Sequence, residues 1–406
     1  MLRKFLQESG IARKDFFIVF ILLFNTFTWW YIIPVIIDDS LSLLNVTHIQ
    51  NLTIWIAYYL AIIGSCIVGS TFSHKIKRLK FLYLWIILGI VVSPLPALFN
   101  NLSVMHVLVF SILLGVSFGL GVPACLAYFA DWTRVENRGK IGGIVLLTIN
   151  LSAPLFAISF EMFNLTINSI ILAVWRGFGL IIFLLKPEEN IVSERKKNPS
   201  FASILRDRAF LLYFVAWLMF CLIDRFEWPI LRHFFGDFYY LMLMIGPIIG
   251  SLSAFIGGVF SDRVGRKRVV LYGFVTLGIA YAIIGISPAA SFSWYFYLVV
   301  DSIATGILWI TFILILWGDL SESGFREKYY AIGGIPYFLT YIVQLLSAPY
   351  VTLIPETSAF SVAAFFLFLA VLPLLYAPET LPERKIKLRQ LRKYVEAARK
   401  VKEKHE

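Results

Sequence analysis

Charge is scarce in this sequence: Lys, Arg, Asp and Glu make up 15% of 406 residues, beside 59% apolar residues. An average soluble domain carries roughly a quarter charged residues, so this balance excludes a soluble enzyme. Cysteine is scarcer still. Cys66, Cys125 and Cys221 fall inside apolar runs with no ligand spacing around them, and read as small core residues. Histidine numbers only five, and neither a zinc-ligand cluster nor a nucleophile–histidine constellation can be traced. No Gly-x-x-x-x-Gly-Lys-Ser/Thr phosphate loop is present, which argues against an ATP-driven pump. The expectation is a protein that is no enzyme, with no metal site and no cofactor.

The formal charge of +11 raises nucleic acid as a partner, and the distribution of that charge removes it. From Arg384 to Glu406 the tail holds ten Lys/Arg and three Glu, a net of +7, and the other 383 residues carry only +4. Most remaining cations sit in short loops between apolar runs. That is the pattern of membrane topology. In the tail, Leu388, Leu391, Tyr394, Val395, Ala398 and Val401 recur at helical spacing beside the basic residues. One reading is a solvated helix; the other is a helix lying on anionic lipid.

What the sequence does have is long apolar runs. Twelve are traced, at about 15–37, 52–72, 81–99, 104–130, 140–160, 166–185, 209–231, 238–260, 269–287, 293–317, 329–353 and 358–377. Each approaches the roughly 20 helical residues that a hydrocarbon core of about 30 Å requires. The first is too long and too late for a cleaved signal peptide, so it is expected to stay as a helix. Lys/Arg placement orients the chain, because cytoplasmic loops are enriched in them. With the N-terminus inside, Arg13, Lys14, Lys75 to Lys80, Arg134 to Lys140, Arg195 to Lys197, Arg263 to Arg268 and the tail all fall on the cytoplasmic side. The opposite loops, near 38–50, 96–103, 161–165, 288–292 and 354–357, contain no Lys or Arg. The Asn-x-Ser/Thr triplets at Asn45, Asn101 and Asn164 land in those outside loops. A multi-pass plasma-membrane protein with both termini cytoplasmic is expected.

The longest polar interruption, Lys186 to Arg208, divides the runs six and six. The expected organisation is a bundle over 1–185, a cytoplasmic linker over 186–208, a second bundle over 209–377 and a basic tail over 378–406. Internal repetition supports the division. Asp131, Arg138 and Lys140 recur as Asp319, Arg326 and Lys328, each displaced by 188, and Gly69, Lys77 and Arg78 recur as Gly258, Arg266 and Lys267 at 189. Ile141-Gly142-Gly143-Ile144 recurs as Ile332-Gly333-Gly334-Ile335, Ser152-Ala153-Pro154 as Ser347-Ala348-Pro349, and Pro187-Glu188 as Pro378-Glu379.

The loop between the eighth and ninth runs reads Gly258-x-x-x-Asp262-Arg263-x-Gly265-Arg266-Lys267. This resembles the inter-helix loop motif of the major facilitator superfamily of secondary transporters. With the parallel repeat of two six-helix halves, the resemblance implies an all-α membrane protein of twelve transmembrane helices in two pseudo-symmetric bundles. Asp131 to Gly139 and the ending Pro378-Glu379-Thr380 look like the sugar-porter and metabolite–proton symporter branches. The glutamine pairs of sugar porters and the Gly-Pro-rich fifth helix of drug antiporters are both missing.

In that family the loop Asp lies at the N-terminus of a helix in the other half, where the helix dipole favours an anion. Here the resemblance implies Asp262 against the fifth helix, with Gly142-Gly143 permitting close approach. Arg263 then pairs with Asp131 or Glu136, and Gly265 allows the tight turn. The implied latch comprises Asp131, Glu136, Arg138, Gly258, Asp262, Arg263, Gly265 and Arg266, and holds an outward-open state; the plainer alternative is a basic loop that only fixes topology. The first-half loop has Ser73 at the Asp position and His74 at the Arg position, so its symmetric latch is expected to be uncharged.

Ionisable groups within apolar runs are costly and therefore functional candidates. Arg176 lies mid-run in the sixth helix and Asp301 in the tenth, fit to bind an anion and to carry a proton. Arg176 can equally be a structural pair. Asp224, Arg225 and Glu227 crowd the end of the seventh run and read as an outer gate or vestibule, with Asp224 the deeper cavity member. Asn25, Asn150 and Gln344 sit mid-helix, each able to bind substrate or a neighbouring helix. Trp29, Trp30 and Tyr31 read as packing or interface aromatics.

The resulting expectation is a monomeric secondary transporter of a small polar or anionic metabolite, a sugar or an organic acid. It would run on a proton or other ion gradient by alternating access, with the bilayer and the substrate as its partners. A multidrug or toxic-compound exporter and a transport-inactive sensor or scaffold are the alternatives.

Overall fold

A bilayer core offers no water to backbone N–H and C=O groups, so a chain this apolar must satisfy them within helices or a closed barrel. Here they are satisfied within helices. A computed structural model describes residues 10–73, 75–99, 101–185, 187–188, 199–321, 325–351 and 353–382, with no strand among them. Twelve of its helices are long and apolar enough to span: α1 (Arg13–Ser42), α2 (His48–Phe72), α3 (Arg78–Leu98), α4 (Val104–Trp132), α5 (Val135–Glu161), α6 (Leu165–Leu184), α7 (Arg208–Phe235), α8 (Asp237–Val264), α9 (Arg266–Ile286), α10 (Ser291–Leu320), α11 (Arg326–Tyr350) and α12 (Glu356–Tyr376). Most begin or end a few residues beyond the apolar run, because polar turns at the membrane edge remain helical.

The two halves repeat one packing scheme. α1 packs on α5, α2 on α4 and α3 on α6; in the second half α7 packs on α11, α8 on α10 and α9 on α12. Lipid is as apolar as a leucine side chain, so such contacts depend on close fit and small residues. Gly119 shows this in the first half, where a Cβ would lie 2.4 Å from the Ile62 carbonyl oxygen. Gly306 does the same in the second, its Cβ 2.1 Å from the Gly250 oxygen. The halves meet along α5–α8 and α2–α11. Towards its C-terminal end α10 passes through a π-helical stretch, Ile310–Ile315, a local widening that helices often carry at functional sites.

Two segments expected as linker and tail are built into the second half. A short helix, Phe201–Arg206, is capped by Ser200, and Lys328 at the start of α11 ties it down by donating to the Pro199 carbonyl at 2.7 Å. At the other end Tyr213 donates to the Pro378 carbonyl at 2.7 Å, and Leu381 is buried. The expected lipid-facing helix of the tail, His74 and the Arg195–Lys197 cluster lie outside the described residues.

Candidate functional site

Between the halves lies a cavity of about 70 Å³. Its first-half wall includes Trp30, Tyr31 and Phe118, and its second-half wall Trp217, Trp309, Phe312, Trp317, Tyr337 and Phe338. No charged side chain lines it, and Asn150 is the one candidate polar residue that does. Trp30 stacks on Phe118 at 5.2 Å and reaches across to Tyr337 and Phe338 at 6.0 Å each. Trp217 is held by its indole N–H, which donates to the Gly333 carbonyl at 2.9 Å. The indole N–H of Trp309 is buried with no acceptor among the described residues, and that of Trp30 faces the Tyr58 hydroxyl. The site is therefore a set of aromatic faces with one spare donor.

Trp30 and Tyr31 thus belong to the cavity, which corrects their reading as packing aromatics. Trp29 does not, because its indole donates to Ser93 at 2.9 Å within the first half. The signal for the second-half wall was present in sequence, as aromatics at positions 309, 312 and 317 and at 330, 337 and 338. Helical spacing of aromatics also describes an ordinary core, so the pattern alone did not single them out.

Three other candidates leave the site. Arg176 is fully buried inside the first half, between the Trp29 and Trp85 rings at 4.6 and 4.2 Å. It donates to Asn25 Oδ1 at 2.9 Å, and Asn25 donates in turn to the Trp175 carbonyl at 2.6 Å. Arg176 and Asn25 therefore bind each other and brace α6 against α1, because the cation finds its electrons in indole rings instead of a carboxylate. Gln344 is half-buried on α11, outside the cavity lining.

Asp224, Arg225, Glu227 and Asp301 gather on α7 and α10, outward of the cavity. Arg225 pairs with Asp224 at 3.1 Å and lies 4.1 Å above the Tyr341 ring. Glu227, read as part of an outer vestibule, is instead buried and accepts from Tyr297 at 2.7 Å. It lies within electrostatic reach of Asp301 and Asp224.

The basic face is closed by an ion-pair network. Asp262 accepts from the backbone N–H of Gly139 at 3.0 Å and of Lys140 at 2.7 Å, at the start of α5. The two chains touch there: a Cβ on Gly139 would sit 2.2 Å from the Gly258 oxygen, and one on Gly258 equally close to Gly139. Gly142 faces Ile310 and Leu314, and only Gly143 of the expected pair meets α8, at the Phe255 backbone. Gly265, at φ +113°, makes the turn into α9. Arg266 then bridges Asp262 at 2.6 Å, Asp319 at 3.1 Å and the Val135 carbonyl at 2.6 Å. Arg138 joins Asp319 from the other half.

Asp131 repeats this role. It accepts from Arg78 of its own half and from Arg326 of the other. The pairs Arg78/Arg266, Asp131/Asp319 and Arg138/Arg326 are each displaced by 188, which corrects the alignment of Lys77 with Arg266. Arg263, expected to pair with Asp131 or Glu136, is exposed, while Arg78 and Arg326 occupy Asp131. Glu136 sits in the tight helical turn Val135–Asn137 that opens α5. The expectation of an uncharged first-half latch is also overturned. Ser73 stands in the loop, but the carboxylate comes from the facing helix: Glu327 accepts from Arg78 Nε at 2.7 Å.

Comparison with known proteins accords with this geometry. The sequence profile of the Major Facilitator Superfamily matches residues 16–226 and 226–403. Multidrug resistance protein 2 of Bacillus subtilis (strain 168) is 28% identical over 232 residues, 53% of this chain and 56% of that protein. The chain thus spans about half the length of that relative. The structure of the human organic anion transporter MFSD10 (TETRAN) superposes with a TM-score of 0.66 at 15% identity, over 89% of this chain and 99% of that one. The proton:xylose symporter XylE, bound to 6-bromo-6-deoxy-D-glucose, gives 0.68 at 15% identity over 92% and 97%. At that identity the superpositions speak to the fold alone.

Proposed function

This chain belongs to the Major Facilitator Superfamily, a family of transporters, and from that premise we propose that it carries apolar, aromatic-bearing small molecules across the plasma membrane by alternating access. The observation that carries the proposal is the wall of the cavity. A sugar would bring several hydroxyl groups into a chamber lined by Trp30, Tyr31, Phe118, Trp217, Trp309, Phe312 and Tyr337, where each unpaired one costs free energy. A flat ring system loses nothing there and gains stacking. The indole donor of Trp309 suits a carbonyl or ether on such a ring. The multidrug relative points the same way.

The reading of a polar or anionic metabolite keeps one observation in its favour: Arg225 stands just outside the aromatic chamber, where it would meet a carboxylate. Coupling to a proton gradient rests on Asp301 and Glu227, carboxylates held close together within the membrane span. The positive loops support a topology with both termini in the cytoplasm, and a cavity lined by a single chain supports a monomer.

Flux in proteoliposomes tests these readings. A neutral aromatic dye, a lipophilic aromatic cation, a sugar pool and an organic-acid pool are offered under an imposed pH gradient. Movement of the aromatic compounds, with the sugar and acid pools inert, supports the proposal. Movement of either pool instead returns the metabolite reading, and silence from all four leaves the sensor or scaffold. Asp301→Asn is expected to abolish gradient-driven accumulation while leaving exchange intact.

A further inference from the structure

We propose that Tyr59, Tyr341 and Arg225 form the outer gate of the cavity: an aromatic stack joining the two halves, clamped by a cation that Asp224 holds in place. Tyr59 stands on α2 and Tyr341 on α11, so their contact crosses from one half to the other. The rings are 4.7 Å apart and nearly parallel, at 11°. The Arg225 guanidinium lies over the Tyr341 ring at 4.1 Å and reaches Tyr337 at 5.3 Å. Asp224 fixes it at 3.1 Å. Tyr337 and Phe338 line the cavity, and Tyr341 lies one helical turn further from the basic face. The stack therefore sits directly on the outer end of the chamber.

Two features mark it as a gate and not static packing. It is built of contacts that are individually weak, an aromatic pair and a cation–π contact, which a transport cycle can break and remake. The clamp is also incompletely satisfied. Arg225 Nε and the Trp228 indole N–H are both buried with no acceptor among the described residues, so each has a donor ready for a group arriving from outside. When the stack parts, Arg225 can move to that group without leaving Asp224.

The inference stands apart from the identity of the substrate, and its test needs none. Cys66 lines the cavity two helical turns deeper along α2 than Tyr59, whereas Cys125 and Cys221 are buried elsewhere. With Cys125 and Cys221 replaced by Ala, Cys66 becomes a reporter for a membrane-impermeant thiol reagent. The reagent is applied to intact cells and, separately, to inverted vesicles. Tyr341→Ala and Tyr59→Ala should each speed labelling about tenfold from the face opposite the termini and leave the basic face unchanged. Tyr341→Phe keeps the stack and should stay within about twofold of the parent. Arg225→Ala and Asp224→Asn should fall between, roughly threefold, with Asp224 acting through Arg225. The proposal is overturned if both alanine variants label at the parental rate, or if labelling rises equally from both faces, as general loosening would produce. Full labelling in denaturant confirms that the thiol is intact in every variant.

Discussion

The two ends of the cavity are closed by different chemistry. At the basic face, four guanidinium groups, two from each half, lock the carboxylates of Asp319 and Asp131, and glycine backbones touch at Gly139 and Gly258. At the opposite end a tyrosine stack meets one cation. Buried ion pairs are strongly dependent on every partner being present, since losing one strands a charge. Aromatic stacks degrade gradually. The molecule therefore has a stiff closure that yields as a unit and a soft closure that yields by degrees, and the state in hand has both in place.

The comparison can be broken first at its stiffest point. Arg138→Ala leaves Asp319 with Arg266 alone and should destabilise the closed basic face by about 3–5 kcal/mol, read as a large gain in Cys66 labelling from that face. The double variant Arg138→Ala/Asp319→Ala should recover much of that loss, because no buried charge is stranded. Next comes Gly258→Leu, whose side chain must displace the Gly139 backbone; a cost of about 1–3 kcal/mol is expected in a thermal melt. Asp262→Asn keeps the shape but weakens the hold on the α5 N-terminus, by about 1 kcal/mol. Glu327→Gln probes the sister latch and should cost a similar amount, roughly 1 kcal/mol. If Glu327→Gln were silent in the same melt, the two latches would not be equivalent. Tyr341→Ala should move the opposite face alone, leaving the melt within about 1 kcal/mol of the parent.

The fold was legible because a bilayer permits so few solutions. Runs of twenty apolar residues, cations confined to alternate loops and a repeat at 188 leave little freedom. The placement of Asp262 on the α5 start and the turn at Gly265 followed from the motif. The choice between Arg263 and Arg266 did not. Both lie in one basic stretch, and only the break at Gly265 turns Arg266 inward while Arg263 stays exposed. Glu327 was hidden for a related reason: the carboxylate that loop position 73 lacks had moved to a different helix, where no motif seeks it. Arg176 stood open in sequence between anion binding and a structural role; in the assembled helices it lies between two indole faces and on Asn25. Facing, which decides cavity from core, exists only once helices are assembled.

Glu379 carries a consequence for how the protein is made. Its carboxylate accepts from the backbone N–H of Arg266 at 2.8 Å and of Lys267 at 3.2 Å, and so caps a helix that begins 113 residues earlier in the chain. Translation runs from the N-terminus, so α9 enters the membrane with these N–H groups uncapped and keeps them so while α10, α11 and α12 are synthesised. The turn that carries Arg266 into the basic-face network can thus be finished only when nearly the whole chain has been made. A nascent protein has no completed latch until the segment that follows α12 is in place.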